Sequence, residues 1–215
     1  MTDALNLAQG RDLAKASVIN ASRLKSGFDR AAALVALVLL SPLLLLVAVI
    51  IRLDSPGRVL FTQQRYGLDG TTFRIYKFRT MTATASTEAF RQATAGDFRI
   101  TRLGRVLRNT SIDELPQLLN VLKGDMALVG PRPHPIALDD TYSPQISDYM
   151  LRYAVRPGLT GLAQVSGQRG PTPTVEDMAR RVKFDLDYIE RWSFWLDLQI
   201  LFRTIGCMTE VRHAK

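Results

Sequence analysis

The chain has 215 residues, a net charge of +8 and a sequence pI near 10. That length is enough for one domain with a substantial core and too short for two domains that each have such a core. The single cysteine, Cys207, excludes an internal disulfide, and the two histidines cannot supply the ligands of a usual zinc site. The excess of basic residues predicts an anionic partner, and nucleic acid, anionic lipid and a phosphorylated substrate all qualify.

The first strong signal along the chain is an apolar run over residues 31–51, AAALVALVLLSPLLLLVAVII. Its 21 uncharged residues are enough for a membrane helix. A cleaved signal peptide fits poorly, because the run is too long, the leader before it spans about 30 residues and no small-x-small cleavage pattern follows. We therefore predict membrane-embedded structure that the protein retains.

Ser41 and Pro42 lie at the centre of this run and predict a bend. The proline ring costs a straight helix about 3 kcal/mol, and the Ser41 hydroxyl can bond to a freed carbonyl one turn back. Each arm of the bent run has about ten residues, or roughly 15 Å of helix, which is half the thickness of a hydrocarbon core. A helix that enters one leaflet and returns is therefore an alternative to a kinked spanning helix.

The charges around the apolar run favour the re-entrant alternative. Lys and Arg near a membrane segment prefer the cytoplasmic side. Both flanks are basic, with Arg11, Lys15, Arg23, Lys25 and Arg30 before the run and Arg52, Arg58, Arg65, Arg74, Lys77 and Arg79 after it. A spanning helix would put one flank on the wrong side, whereas a re-entrant helix-break-helix keeps both in the cytoplasm.

The chain after the apolar run predicts a small β-hairpin followed by helices. Two runs rich in β-branched and aromatic residues surround GLDG and predict the hairpin over residues 58–81. Residues 82–97 are small and polar, which is typical of a mobile connection or a weak helix. Residues 99–108 predict a basic amphipathic helix, whose basic face is either solvated or lies on phosphates or headgroups. Its apolar face comprises Ile100, Leu103, Val106 and Leu107, and its basic face Arg99, Arg102, Arg105 and Arg108.

From residue 175 onward the pattern is helical. Three clustered aromatic residues there belong either to the core or to the headgroup layer of a membrane: Trp192, Phe194 and Trp195. The predicted fold class is therefore α+β, mostly helical with a small β-hairpin, in a monotopic membrane protein with an N-terminal re-entrant helix-break-helix.

Two adjacent carboxylates, Asp113 and Glu114, stand out in SIDELPQLLNVL. One alternative is structural, since Ser111 and Glu114 match a capping box that opens a helix. Pro116 weakens the capping-box interpretation. With Ser111 as N-cap, Pro116 would lie at the fifth helical position, where the helix needs an N–H that proline lacks. With Asp113 as N-cap, Pro116 lies in the first turn, where no N–H is needed. We expect Asp113 at the helix mouth, where the dipole stabilises an ionised carboxylate and attracts phosphate. Such a carboxylate is a candidate nucleophile.

A carboxylate that attacks phosphorus needs cations around it, because two anions repel. The sequence offers four candidates: Lys77, Arg79, Arg108 and Arg132. Arg132 lies between prolines, which partly positions its guanidinium for bidentate phosphate binding. Glu114 could help Asp113 to hold Mg²⁺, which bridges phosphate oxygens. The same charges could instead form purely structural ion pairs.

Three blocks after the apolar run carry a family resemblance: YKFRTM, RITRLGRVLRNTSIDELPQLLNVLKGDMALVGPRP and RPGLTGLAQVSGQRG. Over about residues 28–205 the chain resembles the bacterial sugar transferases called monotopic phosphoglycosyl transferases, in a short form that holds only the catalytic domain. The family's re-entrant Ser-Pro bend falls on Ser41 and Pro42. We therefore expect residues 1–27 to be a leader that could be amphipathic, 28–52 the re-entrant membrane helix, and 53–215 a cytosolic catalytic domain with interfacial helices.

The resemblance implies transfer of a sugar 1-phosphate from a UDP-sugar to a polyprenyl phosphate such as undecaprenyl phosphate. The reaction would use Mg²⁺ and take place at the cytoplasmic face of the bacterial inner membrane. Asp113 would form a covalent phosphosugar with release of UMP, and Glu114 would assist metal binding or proton handling. Lys77, Arg108 and Arg132 match basic positions around the phosphates. Further substrate-binding candidates are Arg156, Gln164 and Asp185.

The segment QVSGQRG resembles the family's segment near the sugar and favours glucose or galactose as the sugar, by analogy alone. Direct attack by polyprenyl phosphate, without a covalent stage, is an alternative within the enzyme class.

A membrane-tethered basic module for anionic lipid or nucleic acid is the alternative of another class. No recognisable nucleic-acid motif supports it. We therefore expect the UDP-sugar, polyprenyl phosphate and membrane lipids as partners and no nucleic acid, with homo-oligomerisation left open.

Overall fold

The computed structural model describes residues 13–82, 92 and 96–209. Within these residues the protein is mostly helical with two small two-stranded sheets, which confirms the α+β, mostly helical class. The helices are α1 (13–21), α2 (Arg23–Asp54), α3 (Arg102–Asn109), α4 (Leu118–Lys123), α5 (Ile136–Tyr142), α6 (Leu162–Val165), α7 (Val175–Arg191) and α8 (Phe194–Thr209). The strands are β1 (Leu60–Tyr66), β2 (Thr72–Phe78), β3 (Ala127–Val129) and β4 (Gly158–Thr160). Short 3-10 helices lie at Leu68–Gly70, Ile112–Gln117 and Tyr149–Ala154.

Strands β1 and β2 form the antiparallel hairpin predicted over residues 58–81 and pair along their full length. The turn that joins them holds Asp69 at φ 54°, a left-handed conformation that Asp tolerates better than most residues. Lys77 lies near one end of the hairpin, opposite Phe61, and Arg65 lies near the other end, opposite Phe73. The hairpin therefore separates these two cations along its length.

A parallel pair of three-residue strands, β3 and β4, lies in the core. Strands this short and this buried have no alternating pattern, so the sequence did not predict them. Backbone hydrogen bonds from Gly130 N to Thr160 O (2.9 Å) and from Gly158 N to Pro131 O (2.8 Å) continue the pairing past β3. The loop over residues 131–135 therefore starts from a fixed sheet end.

Helix α2 contains the predicted membrane segment and has 32 residues. Among the described helices it is the one long and apolar enough to cross a membrane by length and composition. The break expected at Ser41 and Pro42 is not a break in secondary structure, because the helix continues through Pro42. Pro42 leaves the Val38 carbonyl without its helical donor, and the Ser41 hydroxyl donates to that carbonyl at 2.8 Å. This hydrogen bond is the one that the sequence predicted.

Both halves of α2 pack against the remainder of the protein. In the N-terminal half, Phe28 and Leu37 join the main core, which also contains residues of α4. In the C-terminal half, Val47 and Ile51 are buried in a second cluster with residues of β2 and α3. The opposite face is apolar and exposed, and it includes Leu34, Val35, Val38, Leu39, Leu45, Leu46, Val49 and Ile50. An apolar exposed face of this length is compatible with membrane association.

A buried ion pair fixes α2 to α8. The Lys25 ammonium, in a side chain that is 7% exposed, lies 2.7 Å from Asp197 Oδ2 and 3.5 Å from Asp29 Oδ2. The hydroxyl of Tyr188 also donates to Asp197, at 2.8 Å. Because α2 runs unbroken from Arg23, the boundary expected near residue 28 does not separate two structural units, and residues 1–12 of the expected leader lie outside the described residues.

The basic helix predicted over residues 99–108 is shorter than expected, because α3 begins at Arg102. Ile100 instead forms a β-bridge with Met81. Leu107 is buried as expected, but Val106 is 57% exposed and does not belong to the apolar face. Most of the connection expected over residues 82–97 lies outside the described residues.

The aromatic cluster near the start of α8 divides between core and surface. Phe194 packs edge-on against Phe28 with ring centroids 5.3 Å apart, and the Trp192 indole donates to Asp197 at 3.1 Å. Trp195 is 73% exposed, as is Phe202 on the same helix. Phe194 and Trp192 are therefore half-buried residues that pack against the protein, and Trp195 lies on the surface.

Gly104 lies where α3 meets the loop that follows β2. A Cβ at this position would be 2.0 Å from the Thr80 carbonyl oxygen, so the helix and the loop would have to separate. We predict that Gly104→Ala lowers the free energy of unfolding by on the order of 2 kcal/mol, measured by thermal or denaturant unfolding in detergent.

The matched control is Gly27→Ala, in α2, where an added Cβ would meet no atom within 4 Å. Alanine should be neutral or slightly stabilising there, because it is the better helix former. Equal melting temperatures for the two variants would contradict the role assigned to Gly104.

Candidate active site

The acidic pair lies in the 3-10 helix Ile112–Gln117, between α3 and α4. Ser111, the residue before it, has φ 56° and forms no side-chain capping hydrogen bond. Helix α4 begins at Leu118, just after Pro116, because proline cannot donate to an α-helical ladder. Neither the capping box on Ser111 nor the N-cap role of Asp113 is therefore correct, and a helix dipole does not hold the Asp113 carboxylate.

Glu114 is held between two cations. Its Oε1 accepts from Lys77 Nζ at 2.7 Å, its Oε2 accepts from Arg132 Nη1 at 3.0 Å, and Arg132 Nη2 donates to Oε1 as well. Burial alone would raise the pKa of Glu114, but the charges of Arg132 and Lys77 outweigh burial and hold that pKa well below its usual range. Glu114 is therefore ionised, and both of its oxygens are engaged.

Asp113 has the opposite environment. The residue is 7% exposed, and within the described chain its carboxylate forms no ion pair and accepts no side-chain hydrogen bond. Burial, followed by the negative charge of Glu114, raises the pKa of Asp113 to about 6, against the opposing charges of Lys77 and Arg108. The two neighbouring carboxyl groups thus differ, one fixed and ionised, the other unpaired and able to react.

The structure brings three of the four predicted cations to this pair. Lys77 and Arg132 bind Glu114 directly. Arg108, on α3, donates from Nε to the Thr80 hydroxyl at 2.8 Å and lies within electrostatic range of Asp113. Burial lowers the pKa of Lys77, and the charge of Glu114 opposes that change. The three side chains bring positive charge to the acidic pair.

Arg79 lies elsewhere. Its guanidinium donates to the Ser55 carbonyl at 2.7 Å, to the Pro56 carbonyl at 2.8 Å and to the Ile51 carbonyl at 3.4 Å. These are carbonyl groups at the C-terminal end of α2, where a cation is favourable. The structure therefore places Arg79 at the C-terminal end of α2 and does not bring it to the acidic pair.

Asp185 does not contact the acidic pair and is connected to it through Arg152 and Arg132. Arg152 is fully buried, and its Nη2 donates to Asp185 Oδ2 at 2.6 Å and to the Arg132 carbonyl at 2.7 Å. Its Nη1 lies 2.6 Å from His134 Nδ1. The structure therefore places Asp185 beneath the loop that carries Arg132, as a residue that positions this loop.

Arg156 and Gln164 are not brought to the acidic pair. Arg156 donates from Nε to the Gly124 carbonyl at 3.1 Å, at the end of α4. Gln164 is buried and donates to the Leu159 carbonyl at 3.3 Å, while its Oε1 has no partner. Their role in substrate binding stays a prediction.

Sequence reasoning missed a group of buried basic residues beside the acidic pair. Arg65 appeared only as a flanking charge, His134 only as an insufficient zinc ligand, and Arg152 and Arg181 not at all. All four are more than 90% buried. Arg65 donates to the Pro133 carbonyl at 3.2 Å and thereby contacts the same loop as Arg152. The signal available in the sequence was the proximity of His134 to Arg132 in PRPHP.

The residues present fit a magnesium ion only in part. Among the described residues no group of three or more His, Cys, Asp or Glu side chains could hold a metal ion. Glu114 is a poor candidate, since Lys77 and Arg132 occupy both of its oxygens. The free carboxylate of Asp113 fits, because Mg²⁺ is commonly bound by one or two carboxylates together with substrate phosphates.

Comparison with protein families identifies a match over residues 20–211 to the model described as bacterial sugar transferase. The chain is 53% identical over 213 residues to a UDP-glucose:undecaprenyl-phosphate glucose-1-phosphate transferase of Caulobacter vibrioides, which covers 99% of this chain and 79% of the relative.

Two further relatives are much longer than this chain. An enzyme of the same name from Escherichia coli K12 is 48% identical over 85% of this chain and 39% of its own length. A UDP-N-acetylgalactosamine-undecaprenyl-phosphate N-acetylgalactosaminephosphotransferase of Aeromonas hydrophila is 46% identical over 85% of this chain and 43% of its own length. The chain thus spans less than half the length of these two relatives.

The two carboxyl groups of the pair should have opposite effects on stability. The folded protein raises the pKa of Asp113 from 3.8 to about 6, so the ionised group opposes folding above pH 6 and has no effect below about pH 4. We predict that Asp113→Asn raises the free energy of unfolding at pH 7.5 by on the order of 2 kcal/mol and that this gain disappears as the pH falls to 4.

The matched change is Glu114→Gln, the same loss of one charge at the next residue. The depressed pKa of Glu114 stabilises the fold above its unfolded pKa, so this variant should lose on the order of 2 kcal/mol at pH 7.5 and leave Lys77 and Arg132 unpaired. Melting curves of both variants between pH 4 and 8 provide the measurement. Destabilisation of similar size in both would show that the two environments are not different.

Proposed function

The chain belongs to the bacterial sugar transferase family, and on that premise we propose that it transfers glucose 1-phosphate from UDP-glucose to undecaprenyl phosphate. The names of the Caulobacter and Escherichia relatives support both substrates. The Aeromonas relative uses another UDP-sugar at 46% identity, so glucose is the more specific part of the proposal. The observation that carries the proposal is the unpaired Asp113 carboxylate beside cations that Glu114 holds in place.

The reaction would proceed in two displacements at one phosphorus atom. In the first, an oxygen of Asp113 bonds to the phosphorus that carries the sugar, the bond to the UMP oxygen breaks, and UMP leaves with the electron pair. In the second, an oxygen of undecaprenyl phosphate bonds to the same phosphorus and the Asp113–phosphorus bond breaks. The carboxylate is then restored, and the product is the lipid-linked sugar diphosphate.

The charges around Asp113 suit this chemistry. A carboxylate with a pKa of about 6 is mostly ionised at neutral pH, and within residues 13–82, 92 and 96–209 no side chain donates a hydrogen bond to it. Lys77, Arg108 and Arg132 offset the repulsion between carboxylate and phosphate. Glu114 contributes by fixing the positions of Lys77 and Arg132, since both of its oxygens are bound to them.

We propose Asp113 as the one protein ligand of a bound Mg²⁺ ion. With the donor diphosphate bound, the Asp113 carboxylate and phosphate oxygens together provide the ligands that Mg²⁺ prefers, and the ion would neutralise charge on the phosphates. Glu114 is left out of the ligand set, because a metal would have to displace Lys77 or Arg132 from it.

We also propose that α2 enters the inner membrane from the cytoplasmic face and does not cross it. Its two halves pack against the same folded chain, the first through Phe28 and Leu37 and the second through Val47 and Ile51. A helix that crossed the bilayer upright would carry one of these ends away from that chain. The basic flanks at both ends support the same topology.

The basic module for nucleic acid or anionic lipid stays the alternative. Of the basic face predicted over residues 99–108, Arg102 and Arg105 are exposed and Arg99 is buried. Steeply salt-dependent nucleic-acid binding that does not need Asp113 and Glu114 would favour this alternative.

The covalent stage gives the main test. Protein incubated without lipid with UDP-glucose labelled at the β-phosphate should retain label, and undecaprenyl phosphate should then remove it. We predict that Asp113→Asn loses labelling and turnover completely, whereas the control Asp140→Asn, at an exposed aspartate, keeps both. Label on the Asp113→Asn protein would refute the role of Asp113, and lipid-dependent UMP release from unlabelled wild-type protein would indicate direct displacement.

Membrane topology can be tested with single cysteines placed before and after the apolar helix. In a Cys207→Ser background, Ser17→Cys and Gln64→Cys introduce thiols at exposed positions on either side of it. We predict that a membrane-impermeant maleimide labels neither in intact cells and both in permeabilised cells. Labelling of only one in intact cells would establish a spanning helix.

A further inference from the structure

Four buried N–H donors around the 131–135 loop have no partner within the described chain. They are Arg65 Nε on β1, His134 Nε2 in the loop itself, Arg152 Nε in the 3-10 helix Tyr149–Ala154 and Arg181 Nε on α7. The four residues are 8%, 3%, 0% and 7% exposed. A buried donor without an acceptor is destabilising, so four around one loop require an explanation. Arg152 already pairs with Asp185, which leaves the other three as candidates for contact with a ligand.

The Nε2 atom of His134, on the side of the ring away from Arg152, is a hydrogen-bond donor and not an acceptor. An Arg152 Nη1 can only donate, so His134 Nδ1, 2.6 Å away, must be the unprotonated acceptor. The ring proton therefore lies on Nε2, which has no partner. Burial, followed by the charges of Arg152, Arg181 and other arginines, lowers the pKa of His134 well below its usual value and keeps the ring neutral.

The positive charge of this region exceeds its negative charge. Arg132 pairs with Glu114, and Arg152 pairs with Asp185. The third carboxylate of the region, Asp139, lies 3.9 Å from Arg152 Nη1 and accepts hydrogen bonds from Tyr149 and Tyr153. Arg65 and Arg181, by contrast, donate to the Pro133 and Gly170 carbonyls, at 3.2 and 2.8 Å. Neither forms an ion pair with a carboxylate in the described part of the chain.

Both of these guanidinium groups would be stabilised by an anion. Burial, and next the charge of Arg132, lowers the pKa of Arg65 and that of Arg181 to about 10. Two buried cations that form no ion pair, together with the unpartnered N–H groups of Arg65, Arg181 and His134, describe a site that an anionic ligand completes.

The position of this group favours the water-soluble substrate over the lipid. The Cα of Arg65 lies four residues along β1 from that of Phe61, the partner of Lys77, which is roughly 13 Å at the rise of a strand. The side chains approach more closely, because the charges of Arg132 and Glu114 act on the Arg65 guanidinium. The hydrophobic cluster next to it holds Tyr66, Tyr149, Tyr153 and Met178, and no residue of α2 belongs to that cluster. The C-terminal half of α2 packs near Phe78, at the Lys77 end of the hairpin, and its N-terminal half packs in the main core, which also contains Ile75.

We propose that Arg65, Arg181 and His134 Nε2 form a second anion subsite, which binds the uridine-side phosphate of the UDP-sugar and then the phosphate of UMP. The assignment rests on the proposed function and deepens it. The uridine-side phosphate gains negative charge as its bond to the sugar phosphate breaks, so cations at this subsite stabilise the leaving group as well as the bound donor.

The test is equilibrium binding of UMP to the detergent-solubilised full chain, by calorimetry. Arg65→Gln and Arg181→Gln should each weaken UMP binding by about tenfold or more, the usual effect of losing a charge-assisted hydrogen bond to phosphate. Each has a matched control that removes the same charge from an exposed neighbour, Arg74→Gln on β2 and Arg180→Gln on α7. Both controls should bind UMP as the wild type does.

A short-chain polyprenyl phosphate is the second probe and should bind all five proteins alike. Loss of polyprenyl phosphate binding with unchanged UMP binding would assign the subsite to the acceptor and overturn the proposal. Equal UMP affinity in all five proteins would also overturn it. A wild-type protein that forms no labelled intermediate and binds no UMP would reject the proposed function itself, which is a separate result.

His134 allows a test on the unmodified sequence. The chain has two histidines, so protein labelled with ¹⁵N-histidine gives few signals. On addition of UMP the Nε2–H signal of His134, assigned by its absence in His134→Gln, should shift and exchange more slowly with water. An Nε2–H signal that does not respond to saturating UMP would exclude this histidine from the subsite.

Discussion

The ion pair of Glu114 with Lys77 and Arg132 is the interaction on which the arrangement of the site depends. It joins three segments distant in sequence: the end of β2, the 3-10 helix Ile112–Gln117 and the 131–135 loop. Because Glu114 takes the hydrogen bonds of both cations, Asp113 beside it is left buried and unpaired. Burying an unpaired carboxylate destabilises the folded protein, so other contacts must hold the fold together. Reactive groups commonly have such an unfavourable environment.

Four consecutive residues connect the membrane helix to this ion pair. Lys77 binds Glu114, Phe78 packs in the cluster with Val47 and Ile51 of α2, Arg79 binds carbonyls at the end of α2, and Thr80 accepts from Arg108. The alternation of a strand puts Lys77 and Phe78 on opposite faces. Asp113 thus has a fixed position relative to the apolar face of α2, which the proposed reaction between a soluble and a lipid substrate would require.

A second buried network contacts the 131–135 loop through the backbone carbonyl of Arg132. Arg152 binds both Asp185 and the Arg132 carbonyl, and Tyr149 and Tyr153 donate to Asp139 nearby. A buried charge is stable only when it is paired and hydrogen-bonded. Removing one member of the network leaves its partner buried and uncompensated, which is strongly destabilising. This constraint explains why Asp185, expected near the substrate, lies one arginine away from the loop that carries Arg132.

The sequence by itself determined the mostly helical class, the hairpin, the apolar helix with its Ser41 hydrogen bond, and the acidic pair with Lys77, Arg108 and Arg132 as its cations. Each follows from local periodicity, turn chemistry or a continuous motif. Only the tertiary structure decided that Glu114 is paired and Asp113 free, that Arg79 anchors α2, and that Arg65, Arg152 and Arg181 surround the 131–135 loop. The physical reason is that burial and charge pairing depend on residues far apart in the sequence, such as Arg65 and Pro133, which are 68 positions apart. No local pattern encodes such pairs.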